Sequence, residues 1–289
     1  MQQLRLGVIG DLHTHWDDID VAQLNGSAYD LLFFTGDLGG GTPQSSLRIA
    51  RDLSRLTKPT LVMPGNNDTV DIDALAAELT HRTGMAKLSA MKQGESSAAG
   101  GQAQLCGYSV HATPVPELDL TLVAARPHSM GGPELSFPDY MRTTYGIASM
   151  QDSTDRLVSL VDAAQTSRLI FLAHNGPTGL GAEPEDMWGC DFKPGGGDWG
   201  DPDLTTAIDY ARQQQREVLA VVGGHMHLRT KSGALRPWQA QRDATLYVNA
   251  ARVPRIFSGK DDVYRHHVAL SVDAAGVTAE EVVLAQYGS

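Results

Sequence analysis

Cysteine is scarce. Cys106 and Cys190 are the only two in 289 residues, and neither belongs to a paired-cysteine motif. That argues against a disulfide scaffold or a cysteine-based zinc site and points to a reducing, cytoplasmic setting. Long hydrophobic runs are missing as well. Residues 31–34 and 218–222 form apolar runs of strand size, far short of the roughly 20 residues of a membrane-spanning helix, so no integral membrane contact is expected. Residues 1–6 lead directly into a strand-like segment without a basic region and apolar stretch, so a secretory peptide is not expected. Positive charge is the third shortage: 23 Lys+Arg face 34 Asp+Glu, a formal net charge of −11. A surface of that sign repels a nucleic-acid backbone, and long nucleic acid is not an expected partner. Bound cations could reverse the sign locally, which leaves small anionic phosphoesters and nucleotides open as partners. Oligomeric state is not legible.

What is present is a series of apolar strands that end in polar residues. Residues 4–10 read as a buried strand stopping at Asp11. Residues 31–35 end at Gly36-Asp37, 60–63 at Pro64-Gly65-Asn66, 169–173 at His174, and 218–222 at Gly223-Gly224-His225. Between the second and third, Leu47, Ile49, Ala50, Leu53 and Leu56 recur at helical spacing, so the opening is strand–helix–strand. Further helices are predicted over 71–88, 155–164 and 203–215. Strands are predicted over 109–111, 118–124, 245–249, 266–272 and 278–284. No internal repeat or linker divides the chain, so one α/β domain over 1–289 is expected, with ligands beyond the carboxyl ends of its strands. Three stretches near 94–104, 126–142 and 176–202 are rich in loop-forming residues and are expected to cover substrate.

The strand-end residues carry the chemistry. Each has a bland reading alone: an Asp after a strand caps a helix, Gly-Asn makes a turn, and a buried His satisfies a hydrogen bond. Together Asp11, His13, Asp37, Asn66, His174, His225 and His227 supply oxygen and imidazole donors at five strand ends. In Asp11/His13 and His225/His227 the donors lie two residues apart, where an extended chain points both the same way. A thiolate-free N/O set suits Mn, Fe, Zn, Ni or Co. One carboxylate could bridge two such ions, which could clamp a phosphoryl group between them.

In this the sequence resembles the calcineurin-like metallophosphoesterase superfamily. Its blocks Asp-x-His, Gly-Asp, Gly-Asn-His-Asp/Glu, a later His, and Gly-His-x-His match Asp11-Leu-His13, Gly36-Asp37, Gly65-Asn66-Asn67-Asp68, His174 and Gly224-His225-Met-His227 in order. The resemblance implies a four-layer α/β/β/α sandwich with a central β-sandwich. It also implies two divalent transition-metal ions, Mn²⁺ or Fe/Mn foremost, with Zn²⁺, Ni²⁺ or Co²⁺ as alternatives. Asp11, His13, Asp37 and His227 would hold one ion, and Asp37, Asn66, His174 and His225 the other, with Asp37 as bridge. The implied reaction is phosphoester hydrolysis by a metal-bound hydroxide. A looser resemblance of the segments 126–137 and 197–204 is to a cyanobacterial and plastid branch of the superfamily.

One departure bears on activity. Asn67 stands where the family has a histidine held by the following acid, here Asp68. An amide can donate to a phosphoryl oxygen but cannot act as a general acid near neutral pH. Another histidine, His15 or His128, could replace it, the leaving group could need no acid, or the chain could bind ligand with weak or lost turnover. The absence of an Asp-Arg-Gly extension after Gly36 argues against a phosphoprotein phosphatase. A phosphodiesterase acting on a small molecule or nucleotide is the leading expectation, with a phosphomonoesterase as the alternative. Asn67, Arg126, His128, Arg142, Asn175, Trp188 and Trp199 are the candidates for gripping substrate.

Overall fold

Side-chain alternation along each strand decides the layering of this chain. The computed structural model describes residues 2–80 and 102–286. In one sheet β1 (Leu4–Ile9), β2 (Leu31–Phe34), β3 (Thr60–Val62) and β4 (Ala103–Leu105) run parallel. Antiparallel to β1 lies the long strand β12 (Val263–Asp273), which also pairs with β11 (Ile256–Ser258) and β13 (Gly276–Ala285). The second sheet places β6 (Leu120–Ala124), β7 (Arg168–Leu172), β8 (Glu217–Gly223) and β10 (Thr245–Asn249) in parallel. Its edges are antiparallel: β5 (Ser109–Ala112) on one side and β9 (Gln239–Arg242) on the other.

The sheets face each other through alternate residues. Leu6, Val8, Leu31, Phe33 and Leu61 meet Leu122, Ile170, Leu172, Val222 and Val248 in the inter-sheet core. The intervening residues turn outward. Ile9, Leu32, Phe34 and Val62 pack on α1 (Asp18–Gly26), α2 (Pro43–Leu53) and α3 (Ile72–Leu79) through Val21, Leu24, Ile49, Leu53, Leu75 and Leu79. On the other side Val123, Phe171 and Val221 pack on α5 (Met150–Ala163) and α6 (Pro202–Gln213) through Leu157, Leu160, Leu204 and Ile208. Phe33 and Phe34, adjacent and fully buried, thus anchor two different layer contacts, each contributing about 2 kcal/mol of apolar burial. The result is the expected α/β/β/α sandwich, with β12 and β13 completing the first sheet. No helix among the described residues is long and apolar enough to cross a membrane.

The helices expected from 45 and 155 begin earlier, at Pro43 and Met150, where the sequence supplies caps. Thr42 accepts from Ser45 N with Pro43 at the first helical position, and Ser149 accepts from Asp152 N. The helix expected over 71–88 is seen as Ile72–Leu79, and residues 81–88, like most of the loop near 94–104, lie outside the described residues. Two differences are informative. The 126–142 excursion runs into a short helix, α4 (Pro138–Tyr145), fixed by the fully buried Met141. The 176–202 stretch is stitched down by bridges Pro177↔Asp201 and Gly189↔Asp198 rather than standing free.

Candidate metal centre and its cleft

The carboxyl ends of β1, β2, β3, β7 and β8 deliver Asp11, Asp37, Asn66, His174 and His225 to one edge of the sandwich, with His13 and His227 following in the same loops. The loops bend sharply there. His13, Asp37 and His225 have φ of 41°, 50° and 67°, a left-handed conformation costing about 1 kcal/mol or more for each such residue. Hydrogen bonds hold these bends: His13 N donates to Asp37 O (2.8 Å), and His225 N donates to Asp11 Oδ2 (3.1 Å). Gly65 is required by close approach, because a Cβ there would lie 2.3 Å from Asp37 Oδ1 and 2.6 Å from the His174 ring.

The donors fall into two groups whose ligand atoms lie within 4.8 Å of one another: Asp11, His13 and His227, and Asp37, His174 and His225. Asp37 spans both, with Oδ2 at 3.5 Å from His13 Nε2 and Oδ1 at 3.6 Å from His174 Nε2. Asn66 Oδ1 lies 2.9 Å from His174 Nε2.

The fit of a metal pair is tested by atoms that protein partners leave unsatisfied. A carbonyl only accepts, so His174 donates from Nδ1 to Thr35 O (2.7 Å), the outer hydrogen bond that orients a ligating imidazole. In the neutral ring Nε2 then carries a lone pair facing the acceptor Asn66 Oδ1, an opposition that either a proton or a metal cation resolves. Against the effect of burial, Asp37 and Asp11 raise His174 above its ordinary value, which marks a place for positive charge. His225 Nδ1 is buried without any partner, and His13 Nε2 and His227 Nε2 approach to 3.0 Å. Against the effect of burial, the imidazoles of His174, His13 and His225 hold the Asp37 carboxyl below its ordinary value. One orphaned imidazole nitrogen and two imidazole nitrogens facing each other around a buried carboxylate fit a bound cation pair, and the donor set is of the N/O type.

Around this centre the remaining expected residues separate. Asn67 lines the cleft and donates to Asp37, from N to Oδ1 (2.8 Å) and from Nδ2 to Oδ2 (2.7 Å). Asp68 is buried and accepts from Leu38 N and Gly65 N, tying the second block to the third. His128 lies outside the cleft lining and is fully buried: Nδ1 donates to Gly65 O (2.9 Å), so its Nε2 accepts from Tyr140 OH (3.3 Å). Burial pushes it down to about 4, a neutral ring that braces the Gly65-Asn66 turn from behind. His15, with Nδ1 on Leu12 O, is also outside the lining. Neither histidine is in the cleft lining beside Asn67.

Three substrate candidates face inward. Arg126 is 1% exposed, with Nε on Asp203 and Nη2 on Asp201 at 3.0 and 2.8 Å, so its charge is neutralised inside the protein. Asn175 is buried and donates to Trp199 O and Asp201 Oδ1. Trp188 is 1% exposed, packs on Gly176 and donates to Gly224 O, supporting the turn before His225. Arg142 is exposed and pairs with Asp139. Trp199 is half-buried and its Nε1 donates to Met130 O.

The cleft, about 280 Å³, is lined by His13, Asp37, Asn67, His225, Met226 and His227, and on its rim by Asp191, Phe192, Arg229 and Lys231. The rim residues and Thr35, whose Oγ1 donates to Asp11 Oδ1 (2.9 Å), were not expected from sequence. Their signal was position alone: Thr35 precedes Gly36-Asp37, and Arg229 and Lys231 follow His225-Met-His227. A second, smaller cavity at Thr178, Arg212 and Arg242 contains none of the metal-site residues.

No curated protein matches the chain. Among solved structures it is similar to TT1561 of Thermus thermophilus, at 11% identity and a TM-score of 0.53, over 96% of this chain and 99% of that one. It is more distantly similar to a metallophosphoesterase from Sphaerobacter thermophilus, at 14% identity and a TM-score of 0.35, over 97% and 88% of the two chains. The sequence model of calcineurin-like phosphoesterases matches residues 4–229, which include every strand-end donor of the centre. The chain therefore belongs to the calcineurin-like phosphoesterase family and is a metal-dependent phosphoester hydrolase.

Proposed function

We propose that the chain hydrolyses small phosphodiesters, nucleotides among them, at a two-metal site bridged by Asp37, the whole chain working as one domain. The observation that carries the two-metal reading is the position of Asp37 between the two donor groups, within 3.6 Å of an imidazole of each. Asp11, His13, Asp37 and His227 would hold one ion, and Asp37, Asn66, His174 and His225 the other. The ions, Mn²⁺ or Fe/Mn foremost, would supply an activated water nucleophile and neutralise the phosphoryl oxygens.

The chain's own residues do the rest. Thr35 orients both centres, donating to Asp11 through its hydroxyl and accepting from His174 through its carbonyl. Asn67 steadies the bridging carboxylate and places an amide donor in the cleft. Asp68 and His128 fix the Gly65-Asn66 turn. No imidazole beyond the metal-ligand set lines the cleft among the described residues, so the leaving oxygen departs without a side-chain acid. That favours activated esters and diesters over alkyl monoesters.

The test is hydrolysis of paired chromogenic monoester and diester substrates by protein stripped and reloaded with Mn²⁺, beside Asp37→Ala. Diester turnover above monoester turnover, lost in D37A, is expected. Monoester turnover in excess would replace the diester reading with the monoesterase one. Silence in fully loaded protein would favour a ligand-binding role.

A further inference from the structure

The rim of the cleft carries chemistry that the metal centre does not use. Asp191 and Phe192 come from the 176–202 stretch, and Arg229 and Lys231 from the segment after His227. That segment turns back on itself: Arg229 bridges Leu235, Thr230 N donates to Ala234 O, and Gly233 takes φ 91°. Thr230 is buried between two exposed cations, so Arg229 and Lys231 emerge on the same side of the strand-like segment.

Neither cation pairs with an acid among the described residues. Asp191 is the nearest acid on the rim, but its Oδ1 is held by the buried Arg236 (3.2 Å) and its Oδ2 by Lys231 N (2.8 Å). Arg229 donates only to Gly233 O, and no ion pair of Arg229 or Lys231 occurs among the described residues. Two cations without an acidic partner among the described residues thus stand in the same cleft as the metal centre, in a chain of net charge −11. Phe192 stands with them, 43% exposed and set edge-on against Trp199 at 5.3 Å between ring centres. The Lys231 ammonium lies 5.7 Å from the Phe192 ring centre, so cation and ring address the same space.

We infer that Phe192, Arg229 and Lys231 select the substrate: a phosphoester that also carries a second anionic group and a planar ring, the chemistry of a nucleotide with more than one phosphate. The inference rests on the phosphoesterase reading for the reacting phosphate, while the rim takes the second anion on Arg229 and Lys231 and the ring against Phe192. Such a ligand joins charge-assisted contacts of its second anion to ring packing, and a lone phosphate held at the metal centre makes neither of these rim contacts.

Calorimetric binding to the Mn²⁺-loaded protein tests it with three probes: ADP, AMP and inorganic pyrophosphate. ADP is expected to bind more tightly than either of the others. The double variant R229A/K231A should weaken ADP at least about tenfold while changing AMP little, and F192A should weaken ADP and AMP but spare pyrophosphate. Equal binding of the three probes by the natural chain, or variants that weaken all three alike, would overturn the inference. Chromogenic diester turnover in the same variants separates the two readings. Retained turnover with no rim-dependent binding removes the rim and leaves the hydrolase. Rim-dependent ADP binding without turnover removes the hydrolase and keeps the rim.

Discussion

Asn67 is the residue on which the character of this active site turns. Its amide donates to Asp37, the proposed bridge, rather than offering a titratable proton to the cleft. Asn67→Ala is expected to lower kcat on a chromogenic diester about tenfold, the scale of one charge-assisted hydrogen bond, without moving the acidic limb of the pH–rate profile. A shifted limb would show that Asn67 supports a proton-transferring group. Arg126 makes the opposite point. Its sequence context suggested an anion grip, yet it neutralises Asp201 and Asp203 in the interior. Arg126→Met should destabilise the fold by about 3–5 kcal/mol, because two buried carboxylates lose their cation. Arg142→Ala, removing an exposed pair, should leave the denaturation midpoint unchanged. Equal midpoints for both variants would contradict the buried assignment.

At the scale of elements, strands are the parts that carry the proposed metal ligands and the parts that the sequence announces most plainly. The strands β1, β2, β3, β7 and β8 are each a short apolar run ended within a few residues by a polar donor, so these strands and their terminal donors were legible together. Gly65→Ala tests how tightly those ends pack: Asp37 and His174 must move, and loss of Mn²⁺ affinity in a still-folded variant is the expected result, read by calorimetry and circular dichroism. Normal affinity would show that the turn can relax. Loops were less legible, for a physical reason. A long Gly- and Trp-rich segment does not say which way its rings point, and Trp188 turned inward onto Gly176 while Phe192 turned out to the cleft. The helix α4 was hidden because its eight residues begin at Pro138 after the left-handed Phe137 and are held chiefly by tertiary contacts of Met141, Tyr140 and Tyr145. His128 could be recognised as important but not placed, since its role is set by Gly65 O and Tyr140, which are remote in sequence.

Across the whole molecule, buried titratable groups make stability depend on pH. His128, His266 and His267 are buried neutral, pushed down by desolvation to about 4, about 3 and about 4. Their folded values lie below the unfolded value, so the stability they contribute is present above about 6.5 and is lost as pH falls through the folded values. Asp68 and Asp201 act in the opposite sense, since burial raises both to about 6 and favours the folded state on acidification below that point. Between pH 7 and 6 the histidines dominate, and a net loss of about 1 kcal/mol, a few degrees in Tm, is expected for the metal-free protein. A Tm that rises over this interval would reverse the assignment.

The proposed pair of ions sharing Asp37 can be counted by metal analysis at saturation. Protein stripped with chelator, reloaded with Mn²⁺, freed of excess metal and measured by elemental analysis should hold two ions per chain, and Asp37→Ala should hold fewer while remaining folded by circular dichroism. Saturation at a single ion, or two ions retained in D37A, would contradict the shared bridge.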